Sequence, residues 1–173
     1  VDVGIPVILS LIPGGYRPVS PIAWASTDHF GTSSTADMGE AMNLAATRIF
    51  TDDVDTLVAF YEQVTGLTAE RVHPMFAEFD TPSGTLAIAS IQTVPLLGPD
   101  AARAADNHSV ALDFLVDDVD ARFADLRDVV TDFVNEPTTM PWGNRSLLFR
   151  DPDGNLVNLF TPVTDAARAR FGM

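Results

Sequence analysis

Two stretches decide the fold: TRIFTDDVDTLVAFY, Thr47 to Tyr61, and LDFLVDDVDARFADL, Leu112 to Leu126. Laid over one another at an offset of 65 residues, they share an apolar run, an Asp-Asp-Val-Asp block and an amphipathic run. Each reads as strand, cap, helix. An aspartate ahead of a helix accepts hydrogen bonds from the free N–H groups of the first turn and favours its dipole. In the first copy Leu57, Val58, Tyr61 and Val64 make one apolar face, and Gly66 supplies the stop. In the second copy Val119, Phe123, Leu126 and Val130 make the face.

The repeat extends downstream. FDTPSGTLAIAS, Phe79 to Ser90, lies over FRDPDGNLVNLF, Phe149 to Phe160, at an offset of 70 residues. Each piece reads as strand, turn, strand, and Asp-Pro-Asp-Gly fits a type I turn. Each unit is thus expected to be βαβββ. The expected division is an irregular N-terminal extension over 1–41, a first module over 42–90, a linker over 91–107, a second module over 108–163 and a short C-terminal tail over 164–173. The extension is rich in Gly, Pro, Ser and Thr and has no sustained period. Met42, just ahead of the first strand, would make a natural start. Alternatively the extension is an arm that packs on a partner subunit through Ile22, Trp24 and Phe30.

Composition narrows the chemistry. The 173 residues contain no cysteine, and all ten basic residues are arginine. Disulfides, thiolate nucleophiles and lysine Schiff bases are excluded. The net charge of −14 argues against nucleic acid, which needs a basic face. No apolar run reaches the length of a membrane span, so a cytoplasmic protein is expected. An acidic surface also steers cationic ligands toward a protein.

The paired modules, carried by DDVDTLVAFYEQVTGL (Asp52 to Leu67), DDVDARFADL and FRDPDGNLVNLF, resemble the vicinal oxygen chelate superfamily. That superfamily includes glyoxalase I, extradiol dioxygenases, and fosfomycin- and bleomycin-resistance proteins. The resemblance implies an α+β fold in which two tandem βαβββ modules form a curved, barrel-like mixed sheet around a cavity, with helices outside. It also implies a likeness to members that work as homodimers. In its enzymes four strand positions hold a divalent metal, usually through His, Gln or Glu. Here the matching positions are Ala46, Ala111, Asn158 and, as the repeat mate of Asn158, Ile88. Methyl and butyl groups cannot bind a cation, so no metal and no other cofactor is expected.

The three histidines do not replace those ligands. His29 lies in the extension and His73 precedes Pro74 in a turn. His108 stands three residues before Ala111, an odd number, which sends it to the opposite face of the strand. The period of two then gives a cavity face of Ala46, Arg48 and Phe50, of Leu86, Ile88 and Ser90, of Ala111, Asp113 and Leu115, and of Leu156, Asn158 and Phe160. Met75, Pro141 and Trp142 are placed at its mouth. The candidate ligand-binding set is Arg48, Phe50, Ile88, Ser90, Asp113, Trp142, Asn158 and Phe160. Arg48 and Asp113 are repeat mates and are expected to pair. Asp113 is the candidate general base.

The leading expectation is a metal-free protein, similar to the bleomycin-resistance branch, that binds a small organic molecule, cationic or aromatic. The alternative is a lyase, isomerase or dioxygenase, using either metal-free acid–base chemistry or a metal on Glu78, Asp113 and a histidine. A third reading has the chain acting by association, with a vestigial cavity.

Overall fold

The computed structural model describes residues 44–173. The 1–41 extension, His29 and the aromatic side chains assigned to its arm lie outside the described residues. The first module runs β1 (Ala46–Thr51), α1 (Val54–Thr65), β2 (Glu70–His73), β3 (Phe76–Thr81) and β4 (Gly84–Ser90). A 3-10 helix (Ile91–Leu96) follows. The second module runs β5 (Ala111–Leu115), α2 (Val119–Leu126), β6 (Thr138–Thr139), β7 (Asn144–Arg150) and β8 (Leu156–Pro162). The short C-terminal tail carries a last helix, α3 (Asp165–Arg170).

The caps form as the Asp-Asp blocks demand. Asp53 accepts from the Thr56 N–H at 3.0 Å and Asp118 from the N–H groups of Asp120 and Ala121. The Thr56 contacts hold the Asp53 carboxyl below its usual range. Gly66 stops α1 in the left-handed region, φ 72°.

The fold is α+β: two four-stranded mixed sheets, ordered β1-β4-β3-β2 and β5-β8-β7-β6. In each, the first and last strands of the module run parallel and the other pairs antiparallel. The expected barrel-like closure does not occur. Each sheet keeps its own edges, β1 and β2 in one and β5 and β6 in the other.

One core joins the modules. Tyr61 on α1 is fully buried, with ring centroids 6.2 Å from Phe79 and 6.5 Å from Phe114 of the second module. Phe60 meets Phe149 on β7 at 6.2 Å. The Tyr61 hydroxyl donates to Asp151 Oδ2 at 2.8 Å, which ties α1 to the β7–β8 turn. Burial and the Asp151 charge push the phenol well above its ordinary pKa, so it stays a neutral donor. The guanidinium of Arg122 on α2 adds a hydrogen bond to the Val64 carbonyl at the end of α1.

The hairpin turns differ by one residue. Four residues, Thr81 to Gly84, connect the pair Asp80↔Thr85, whereas five, Asp151 to Asn155, connect Arg150↔Leu156. A one-residue change flips every side chain beyond it. The offset of 70 therefore holds for β3 over β7 but becomes 71 for β4 over β8. Asn158 pairs with Asp113, and the equivalent partner of Arg48 is Ala87, not Ile88.

Candidate functional site

The sheet face away from the core carries the exposed positions of β5, namely Ala111, Asp113 and Leu115, beside Leu156, Asn158 and Phe160 of β8. Over the Asp113 end of this face opens a cleft of about 1170 Å³. Asp113, Trp142, Asn158 and Phe160 line it, so four of the eight expected residues meet there. Its far wall includes Arg170 and Phe171, which follow from α3 and were not anticipated.

At the floor, the Asn158 Nδ2 donates to Asp113 Oδ1 at 2.7 Å. A carboxylate accepts only, so this contact fixes the amide with its nitrogen toward Asp113. Asn158 Oδ1 is then left without a hydrogen-bond donor although almost none of it is exposed. A buried acceptor without a partner costs about 1–3 kcal/mol. The apolar part of the site is aromatic. Phe160 and Phe171 lie 5.2 Å apart between ring centroids, and the Arg170 guanidinium carbon sits 5.8 Å from the Phe171 centroid.

Gly143 builds that wall. Its carbonyl accepts from the N–H groups of Val163 and Thr164, seating the start of α3. With φ at 91°, an added Cβ would fall 2.1 Å from Thr164 Oγ1. Only glycine lets α3 approach this closely. The readable signal was local: Thr164 begins TDAARAR, and its side chain caps α3 by accepting from the Ala167 N–H.

The other expected residues go elsewhere. Ile88 is fully buried in the core beside Ile49, its register partner on β1. Ser90 is buried and accepts from the Gln92 N–H, capping the 3-10 helix. Both were assigned to the cavity face by the offset of 70, and the shorter turn reverses them; Leu86 turns inward for the same reason. Arg48 and Phe50 do lie on the outer face, but of the first module's sheet. There the Arg48 guanidinium covers Phe76 at 5.5 Å and Phe50 at 6.0 Å. The expected Arg48–Asp113 pair is absent from the ion pairs among the described residues, because each group is held by its own sheet.

The metal positions of the family do not fit a cation. Ala46 and Ala111 offer methyl groups, Ile88 points into the core, and Ala87 takes its place on the outer face. Asp113 and Asn158 supply two neighbouring oxygen-bearing groups, short of the three or four ligands a divalent metal needs. Among the described residues no three His, Cys, Asp or Glu side chains gather as a metal site, which includes the set of Glu78, Asp113 and His108. His108 is exposed just ahead of β5, and His73 is exposed with Nδ1 accepting from the Met75 N–H.

Residues 43–159 match the family model described as the glyoxalase/bleomycin resistance protein/dioxygenase superfamily. The chain belongs to that superfamily. Among solved structures it is similar to a glyoxalase/bleomycin resistance protein/dioxygenase from Nocardioides, at 22% identity and a TM-score of 0.62, over 75% of this chain and 89% of that one. A glyoxalase/bleomycin resistance protein/dioxygenase family enzyme from Burkholderia phytofirmans aligns at 20% identity and 0.63, over 70% and 100%. A glyoxalase-related enzyme from Fulvimarina pelagi aligns at 18% and 0.62, over 70% and 88%. At these identities the likeness speaks for the fold. No curated protein matches the chain.

Proposed function

We propose that this glyoxalase-superfamily chain binds a small organic molecule, cationic or aromatic, in the cleft of its second module without a metal. The observation that carries the reading is the Asp113–Asn158 pair. It holds one carboxylate oxygen in place and presents a negative group to an aromatic-walled cleft. A mostly apolar concavity with a few placed polar groups is the usual form of a small-molecule site. The volume is ample for such a ligand. The acidic surface draws cations toward it.

Acid–base catalysis by Asp113 is the second reading. It is favoured by the geometry at that carboxylate, where only Oδ1 is engaged by Asn158 and the side chain faces the cleft. A homodimer and a cytoplasmic location belong to the same proposal. Among the described residues no helix is long and apolar enough to cross a membrane.

The test is a native mass spectrum of untagged protein purified without added metal. A bare chain, or a chain with an organic adduct, is expected, and the same spectrum counts the subunits. A stoichiometric divalent ion that a chelator removes would overturn the metal-free reading. Asn158→Leu should abolish any adduct, and an unchanged adduct would move the site away from this cleft.

A further inference from the structure

The last carbonyls of a helix lack partners within it, and its negative dipole end favours a cation. The sequence of α1 supplies none, because its last turn carries no basic residue. The Gly66 N–H donates to the Glu62 carbonyl, and the Thr65 hydroxyl donates to that of Tyr61. The Val64 carbonyl is served from the other module, by the Arg122 guanidinium on α2. The repeat mate of Arg122 at the offset of 65 is Leu57, a core residue, so the contact has no counterpart in the reverse direction.

Both partners line the cleft. Val64, Thr65 and Leu67 at the end of α1 form its first-module side, and Ala121 and Arg122 belong to the α2 side. Among the described residues no strand of one sheet pairs with a strand of the other. Tyr61 and Asp151 also tie the modules, yet neither lines the cleft. Asp125, the acidic neighbour of the Arg122 guanidinium, is 4.0 Å away and mostly exposed, and so competes weakly for it. We infer that Arg122 is a positioning residue for the cleft: it pins the end of α1 to α2 and thereby fixes the spacing between the sides that the two modules contribute. A ligand that touches both sides then meets a preorganised gap. This role rests on the proposed cleft and adds what holds it in shape.

A plain helix cap would make the same bond, so the test must separate the two roles. Gln63 is exposed in the last turn of α1, and Gln63→Lys gives that turn a cation of its own without a tie to α2. The chain has no cysteine, so Ala59→Cys and Ala124→Cys, at exposed positions of α1 and α2, take a unique pair of spin labels. Pulsed electron spin resonance on the full chain reads their separation, and hydrogen exchange reads the last-turn amides of α1.

The parent is expected to give one narrow distance. Arg122→Met, which keeps the stem and removes the donors, should lengthen and broaden it, with the last-turn amides exchanging about tenfold faster. Arg122→Lys should restore part of both. Gln63→Lys added to Arg122→Met should slow the exchange again and leave the distances broad. Melting temperatures report folding, and Arg122→Gln reads the same distance should Arg122→Met fail to fold. A parent-like narrow distance without the Arg122 donors would overturn the positioning role, since the shared core alone would then hold the gap. Narrowing by Gln63→Lys would overturn it too and leave Arg122 as a cap of α1. None of these readouts uses a ligand, so the adduct test on Asn158→Leu judges the cleft separately.

Discussion

The two modules share a topology but use their outer faces in opposite ways. In the first, Arg48 lies across Phe50 and Phe76. Ala87 and Ala89 beneath are each 1% exposed. That face is filled by its own side chains. In the second, the face opens into the cleft, with Asp113 and Leu115 exposed and a wall contributed from α3. Repeat mates thus diverge in role: Arg48 covers its sheet, and Asp113 waits on a floor. The two modules are similar scaffolds, and a few face residues leave one face covered and the other open to a cleft.

The largest test of this comparison uses the same amide at the two positions that sequence alone paired. Ile88→Asn should cost about 3–5 kcal/mol, since it removes a packed core side chain and buries an amide without partners. Chemical denaturation should show a collapse of the midpoint. A loss under 1 kcal/mol would mean that Ile88 faces the outer surface after all and that the register described for β4 is wrong.

That pair also marks how far the sequence was legible. Strand–cap–helix order, the capping aspartates and the apolar helix faces were readable because each rests on local spacing. The β4 face was not. The shared glycines, Gly84 and Gly154, invited an alignment in which both sit in the turn, yet Gly84 already pairs with Thr81 at the start of β4. Residue count across a turn decides the face, and side-chain identity does not reveal it. On the site, Asp113 and Asn158 were found together because their strands are read in register. Arg170 and Phe171 were missed because α3 is short and is seated by the Gly143 carbonyl, a backbone contact that residue identity does not announce.

Gly143→Ala attacks the wall that distinguishes the second module. The left-handed backbone and the contact with Thr164 Oγ1 predict a loss of about 2–3 kcal/mol and a displaced α3. Loss of ligand binding should accompany it, read by titration beside thermal melting. On the first module, Arg48→Ala uncovers Phe50 and Phe76. Its expected cost is only about 0.5–1 kcal/mol, the size of an exposed cation–π contact. If Arg48→Ala instead abolished binding of a small molecule, the first face would be a site too and the division of labour would fail.

Asn158→Leu should change stability by less than about 1 kcal/mol, with a gain the expected direction. It removes a buried acceptor that has no donor and places an apolar group beside Leu148 and Phe160. The opposite outcomes of amide and aliphatic side chains at positions 88 and 158 would confirm that one belongs to the core and the other to the cleft. A loss of several kcal/mol would mean that the Asn158 amide holds the second sheet together rather than serving a ligand.

The smallest expected effect concerns Asp153, in the turn whose extra residue set the registers apart. Burial raises its pKa, and Asp151, Asp52 and Asp53 raise it further, against a hydrogen bond from Thr51. A carboxyl whose folded pKa exceeds its unfolded one binds more protons in the native state. Its strain is therefore present above the folded pKa and is relieved as pH falls through that value toward the unfolded one. Asp153→Asn removes the charge at every pH. At pH 7 the variant should melt about 1–2 °C higher, because it removes a charge that partial burial and three neighbouring carboxylates oppose. At acid pH, below both values, the charge is gone from the parent as well and the gain should vanish. A gain that persists there would trace to packing of the turn and not to its charge. The acidic contact between the α1 cap and the five-residue turn would then carry no electrostatic cost.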